Sequence, residues 1–265
     1  MLERAEKDGL LLFGAPALES EGVSVVFTTR LDAGGSPPYD GLNLSYSVGD
    51  DRETVRANRE AVARAIDIDI HDTVFGRQVH STNVWIAGDL ERARGSFDFE
   101  SALPGCDAII TSTPGLSVCV LTADCVPVAV VCEDGRAVAA VHAGWRGLAA
   151  GILKKSVRLL SQVSCSEPRH MTALVGPHLM SCCFEVGEDI AGLFESRFGA
   201  GCVSRERKRR VAMADACRTE LMREGLKAVN IHEAGECTCC CRDYFSYRRS
   251  GGLTGRQALL VRPAD

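Results

Sequence analysis

The chain contains no apolar run approaching transmembrane length, no internal repeat, no low-complexity tract and no linker that would divide it. Its first residues, Met1-Leu-Glu-Arg-Ala-Glu-Lys-Asp8, lack the basic start and apolar centre of a secretory signal. Positive charge is in deficit: a net charge of -5 argues against electrostatic docking on nucleic acid or on an anionic membrane. What is present is an ordinary soluble composition, 46 % apolar and 25 % charged over 265 residues, enough for one large or two small domains with a substantial core. A cytoplasmic location is expected, with small molecules or other proteins as partners.

Cysteine, by contrast, is abundant. Thirteen would suggest disulfides in a short secreted chain, but the length, the odd count and the missing export signal predict mostly reduced thiols. The cluster Cys237-Thr-Cys-Cys-Cys241 holds one Cys-x-x-Cys pair, Cys237 and Cys240, which raises a second metal site or a redox switch. No second Cys-x-x-Cys completes four sulfur ligands, and His232 is the only nearby imidazole, so structural thiols are the simpler reading.

The most informative stretch is 121–148. Two Val/Ala-rich runs flank Asp134-Gly135, a dipeptide whose backbone accepts positive φ at both centres of a two-residue hairpin turn. A hairpin there makes Val131 face Val138, Pro127 face His142 and Cys125 face Gly144. Side chains alternate, so Cys125 shares a face with His142 on a diagonal of about 7–8 Å, which a thiolate and an imidazole can close onto one ion. Pro127 is the weak point, because proline is usually confined to an edge or a bulge, and a bulge would flip Cys125 to the other face. From one Cys and one His alone, a small buried cysteine and a satisfied strand-end histidine compete with a metal site.

Elsewhere, residues 23–29 alternate as a strand leading into Arg30, and residues 32–44 are too rich in Gly, Pro and Asp for anything but a loop long enough to cover a site; Asn43 and Arg30 are its polar candidates. A helix is expected from 49 to 66, with Arg56 and Arg59 on one solvated face. Residues 73–86 read as a strand with His80 at its middle; Arg77, Gln78 and His80 inside an apolar strand should face a cavity or a ligand, although a structural histidine fits equally. Residues 106–111 and 116–121 give two more strands, with Asp107 and Asp124 at their polar edges, each either a turn cap or a group that orients a ligand histidine or acts as a base. The turn Gly144-Trp-Arg-Gly147 opens a helix over 149–162 and offers amides to an anion, though the two glycines need only permit a tight turn. A strand at 171–177, helices at 184–198 and 211–224, a basic solvated loop at 203–211 and a last strand at 257–261 follow, with Arg248, Arg249 and Arg256 in a Gly-rich turn as a second anion candidate. Interleaved strands and helices with antiparallel hairpins predict an α+β fold with a mixed sheet.

Several motifs in order, Phe27-Thr-Thr-Arg30, Gly41-Leu-Asn43, Arg77-Gln-Val-His80, Thr122-Ala-Asp-Cys125, Val141-His-Ala-Gly-Trp-Arg-Gly147, Phe245-Ser-Tyr-Arg-Arg249 and Thr254-Gly-Arg256, resemble the YfiH-like, laccase-domain family from Val23 to Val261. The resemblance implies one compact α/β domain spanning residues 1–265 and one catalytic zinc on His80, Cys125 and His142. It also implies purine nucleoside phosphorylase activity on adenosine, inosine, guanosine and methylthioadenosine, together with adenosine deaminase activity; polyphenol oxidase is the older label. Three protein ligands leave a fourth position open, as in catalytic zinc sites. In that scheme Asp124 is a possible base, Arg77, Arg146 and Arg248 contact phosphate or substrate, and Asn43 contacts the ribose. One departure is the bulky His178-Leu-Met-Ser-Cys-Cys183, where the family usually has glycine-rich backbone; it bears on substrate range and makes Cys182 or Cys183 a candidate reactive thiol. Two imidazoles and a thiolate also suit a blue-copper centre, the alternative cofactor, although His71, His170, His178 and His232 are few for further coppers. A noncatalytic zinc-stabilised binding protein is the third reading, its fourth ligand Cys119, Cys132 or a carboxylate.

Overall fold

The computed structural model describes residues 2–32, 34–204 and 209–265. Among them fourteen strands form: β1 Glu3–Lys7, β2 Leu10–Gly14, β3 Ser24–Thr28, β4 Thr73–Phe75, β5 Val84–Ala87, β6 Ala108–Thr111 and β7 Ser117–Thr122. The others are β8 Val126–Val131, β9 Val138–Ala143, β10 Thr172–Val175, β11 Val203–Ser204, β12 Arg210–Val211, β13 Ile231–Glu233 and β14 Gln257–Arg262. Two mixed six-stranded sheets result, ordered β1-β2-β3-β14-β7-β4 and β13-β10-β8-β9-β6-β5.

The alternation of side chains stacks these sheets face to face. Val25, Phe27, Val118, Val120, Leu259 and Val261 of the first meet Ala129, Val131, Val138, Ala140 and Leu174 of the second in one core. The opposite face of the second sheet, through Val126, Val128, Val130 and Val141, packs on Leu153, Val157 and Leu160 of the helix Ile152–Ser164 and on Phe194 and Leu221 of the helices Glu188–Phe198 and Met213–Arg223. The outer face of the first, through Leu12, Val26, Cys119 and Leu260, packs on Val62 and Ala65 of the helix Arg52–Ala65. The layers therefore run helix, sheet, sheet, helix. β8 and β9 are buried on both faces, which is why they read as continuous apolar runs. No helix among the described residues is long and apolar enough to cross a membrane.

The hairpin register is the expected one: Val131 pairs with Val138, Pro127 with His142 and Val126 with Ala143. Pro127 needs neither an edge nor a bulge. The His142 N–H points away from it, to the Asp107 carbonyl at 2.7 Å, so the ring nitrogen of Pro127 faces the end of β10, where the Gly176 N–H donates to the Pro127 carbonyl at 2.9 Å. One ladder bond is forgone at the last rung and the face of Cys125 is kept. The turn differs from the expected two-residue form: only Gly135 has positive φ, and Cys132 pairs with Ala137 across a longer loop.

Three further expectations are corrected. Residues 73–86 are not one strand, because β4 ends at Phe75 and β5 begins at Val84, and His80 lies in the loop between at φ 60. The helix expected at 149–162 is two, Trp145–Ala150 and Ile152–Ser164, broken at the left-handed Gly151. Arg59 is not on a solvated face: it is 4 % exposed, donates to the carbonyls of Leu44, Gly95 and Ser96, and lies 3.8 Å from the centre of the Phe75 ring. The β1–β2 hairpin went unforeseen, since Glu3–Lys7 is mostly exposed and has no apolar alternation. Of the basic segment, Arg205, Arg207 and Lys208 lie outside the described residues, and Arg209 pairs with Glu188.

The Arg59 guanidinium is thus a buried tie between the helix and two loops, and its loss orphans three carbonyls. Arg59→Ala should lower stability by about 3 kcal/mol or more, read as a shifted urea midpoint; an unchanged midpoint would show the tie to be dispensable.

Candidate metal centre

His80, Cys125 and His142 arrive from three different places and meet. Cys125 sits in the bend between β7 and β8, His142 near the end of β9 and His80 in the loop after β4. Their ligand atoms all lie within 4.8 Å of one another; the Cys125 Sγ is 3.7 Å from the His80 Nε2, and the two imidazole rings stand edge to face with centroids 4.8 Å apart. A thiolate and an imidazole on one tetrahedral zinc, with bonds of about 2.3 and 2.0 Å, stand about 3.5 Å apart, so the donor set fits that ion.

The two histidines are held in place by Asp107, whose side chain is fully buried. Its carboxylate accepts from the N–H groups of Val79, His80 and Ser81, from the Ser81 hydroxyl and from the His142 Nδ1 at 2.9 Å. With Nδ1 donating to Asp107, the Nε2 of His142 is left for a metal. Burial alone would raise the Asp107 carboxyl, but the hydrogen bonds from His142 and Ser81 outweigh it and hold the group at about 2. In the metal-free chain burial also opposes charge on Cys125 and His142, yet each is stabilised by the other: the His142 imidazole pulls the thiol below its ordinary value, and the thiolate with Asp107 raises the imidazole above its own.

Gly144 is needed for its lack of a side chain rather than for a turn, since its φ is -66. A Cβ there would fall 2.7 Å from the His80 ring and 3.3 Å from the Cys125 sulfur. Gly147 likewise lies where a Cβ would meet the Ser81 carbonyl at 2.7 Å.

The cluster opens into a cleft of about 570 Å³ whose wall includes Asp124, Trp145, Arg146, Arg248 and Arg256 with the rings of Phe99, Phe184 and Tyr247. Arg146 lies over Trp145 at 4.3 Å, and Arg248 donates both terminal nitrogens to the Glu185 carbonyl. The carboxylate of Asp124 accepts from the Thr238 hydroxyl and from the Arg248 N–H, both at 2.6 Å, so it fixes the segment that carries Arg248. Burial lowers Arg256, whose Nη1 is held by the carbonyls of Thr254 and Gly255.

Two expected site residues stand elsewhere. Asn43 is fully buried and does not line the cleft: its amide donates to Asp50 and the Ser45 carbonyl, and its oxygen accepts from the N–H groups of Ser45 and Arg256. It braces the loop against the turn of Arg256, leaving nothing for a ribose. Arg77 is also off the cleft wall, 5.9 Å from the centre of the Phe99 ring. Arg30 pairs with Asp40, and Arg249 donates to four backbone carbonyls.

Known proteins resemble the whole chain. A family model described as multi-copper polyphenol oxidoreductase laccase matches residues 24–263. A protein named adenosine deaminase RL5, from an unknown prokaryotic organism, is 35 % identical over 242 residues, covering 89 % of this chain and 92 % of that protein. The purine nucleoside phosphorylase YlmD of Geobacillus stearothermophilus is 29 % identical over 97 % of this chain and 95 % of its own. Among solved structures, the Bacillus licheniformis hypothetical protein YfiH superposes with a TM-score of 0.91 at 29 % identity, covering 95 % of this chain and 96 % of that one.

Asp107→Asn should weaken metal binding about 10- to 100-fold in chelator competition, because the imidazole loses its charged orienter. The depressed carboxyl contributes stability that is complete above the ordinary carboxylate range and lost as pH falls through about 2. Acid unfolding should therefore be shallower in the variant; wild-type metal affinity would remove Asp107 from the centre.

Proposed function

The chain belongs to the family described as multi-copper polyphenol oxidoreductase laccase, and on that premise we propose that it is a zinc-dependent enzyme of purine nucleosides. It cleaves adenosine, inosine, guanosine or methylthioadenosine with phosphate to the free base and ribose 1-phosphate, and deaminates adenosine. The observation that carries this is the meeting of His80, Cys125 and His142 in a cleft bordered by Arg146, Arg248 and Arg256. Relatives named purine nucleoside phosphorylase and adenosine deaminase support the substrate class.

Phosphorolysis forms a bond from a phosphate oxygen to the ribose C1′ and breaks the bond from C1′ to the purine nitrogen; the electron pair leaves with the base, which then takes a proton. When bound, zinc supplies a Lewis acid with a free coordination position, three sites being taken by protein. Arg146 and Arg248 hold the phosphate by charge-assisted hydrogen bonds. Phe99 and Tyr247 give the purine apolar faces. Asp124 fixes Arg248, and each of its oxygens retains a lone pair to accept a proton from the attacking group. A cleft of about 570 Å³ lies within the size range of small-molecule sites.

Copper is the second reading, since the family description names it and two imidazoles with one thiolate also suit a blue-copper centre. The histidines are against a larger copper array: His71 lies against Phe97, His170 pairs with Glu133 and His178 bonds the Gly176 carbonyl, and among the described residues only His80 and His142 fall in a group of donors that could hold a metal.

Incubation with a nucleoside panel, with and without phosphate, should release base only when phosphate is present and ammonia from adenosine in either case. Cys125→Ser should cost about a thousandfold in turnover, while Arg248→Ala should raise the KM for phosphate about tenfold. Wild-type protein that yields neither base nor ammonia would sink the enzymatic assignment, and stoichiometric copper with intense visible absorption would replace it by oxidation chemistry.

A further inference from the structure

The fold supplies what the single Cys-x-x-Cys pair lacks. Residues 178–184 run back beside residues 236–241: His178 and Cys237 form a parallel bridge, the His178 N–H donates to the Glu236 carbonyl, and the Thr238 N–H donates to the His178 carbonyl. Each segment then makes a tight turn. The N–H groups of Cys183 and Phe184 share the Met180 carbonyl at 2.9 Å, and the Cys241 N–H donates to the Cys237 carbonyl at 2.9 Å. Arg249 braces the second turn through the carbonyls of Thr238, Cys239 and Cys241. The four sulfurs of Cys182, Cys183, Cys237 and Cys240 consequently lie within 4.8 Å of one another.

Their spacing selects among the things four thiols can do. The Cys240 sulfur is 3.7 Å from that of Cys182 and 3.3 Å from that of Cys183. A disulfide needs about 2.0 Å, whereas two thiolates on one tetrahedral ion with bonds of about 2.3 Å stand about 3.8 Å apart. An iron–sulfur cluster carries its own atoms between the thiolates and needs a wider cage. Cys237 is buried, while Cys182 and Cys240 reach solvent and leave a path for the ion.

We propose that Cys182, Cys183, Cys237 and Cys240 form a second metal site, a closed tetrathiolate centre that binds Zn(II) and clips residues 180–183 to residues 237–240. Binding displaces the four thiol protons and leaves a net charge of two minus on the ion and its ligands, next to Arg249. Four sulfurs fill the tetrahedron, so the site is structural. The clip lies behind the cleft: Thr238, between two of the ligands, holds Asp124, and Leu179 and Phe184, on either side of the other two, line the cleft wall. The proposal is independent of the activity assigned to the first centre.

Metal analysis of protein purified in reductant, with zinc in the growth medium, tests it. The wild-type chain should carry two zinc ions, the Cys182→Ser/Cys240→Ser variant one, and the His80→Ala/Cys125→Ala/His142→Ala variant one. Cobalt(II) added to the metal-free form of the last variant should give the intense charge-transfer and visible bands of a four-thiolate tetrahedron, a readout that holds even where the serine variant fails to fold. The proposal is overturned if the His80→Ala/Cys125→Ala/His142→Ala variant binds no zinc and gives no such spectrum. It is equally overturned if non-reducing mass analysis of protein prepared in reductant finds a disulfide between Cys240 and either Cys182 or Cys183.

Discussion

A single buried carboxylate organises the centre. Asp107 accepts hydrogen bonds from five donors, and three of them are consecutive backbone N–H groups of the loop that carries His80. Three successive amides turned toward one point cannot also serve a strand ladder, so the loop curls round the carboxylate and His80 takes its positive φ. Another donor to the same group is the Nδ1 of His142, a bond that sets the tautomer and aims the other ring nitrogen. One residue thus brings two histidines from separate segments to the same place. Its main chain completes the tie, the Asp107 carbonyl accepting the N–H of His142.

The stacked sheets set the remaining distance. Cys125 and His142 sit at the same end of the β8–β9 pair, whose register is fixed by side chains that must alternate between the intersheet core and the helix layer. Sliding the pair by one residue would exchange the side chains that meet the intersheet core with those that meet the helices. Proline at 127 survives in this central strand because its missing donor falls on the final rung of β10. The bare Gly144 then lets the His80 ring approach the sulfur.

What could be read from the residues divides along the same line. The pairing of Pro127 with His142 and the α+β class follow from period-two alternation, a local signal. Cys125 and His142 as partners are therefore legible from the hairpin itself. His80 is not: an apolar stretch with three polar residues reads as strand, and only the distant Asp107 shows why it is a loop. Arg59 fails for a related reason, since helical spacing marks a face without saying whether carbonyls of Leu44, Gly95 and Ser96 wait there. The cysteine pairs at 182–183 and 237–240 each look incomplete, and over fifty residues separate them; the bridge between His178 and Cys237 that joins them has no signature in either segment. Asn43, polar and loop-borne, looks like a ligand contact but is consumed by its own neighbours.

Strained backbone marks the centre on both sides. His80 and Asp124 adopt φ of 60 and 94, a region that side-chain-bearing residues enter at a cost of about 1–3 kcal/mol. Neither conformation would persist alone. His80 is held by Asp107; Asp124 is held by the hydroxyl of Thr238, the N–H of Arg248 and, through its own carbonyl, the N–H of Leu179. Two of those three anchors belong to the segments that carry the four-cysteine cluster. The geometry at Cys125, one residue after Asp124, consequently depends on how firmly those two segments are joined, which gives a closed sulfur site a reason to stand behind an open one.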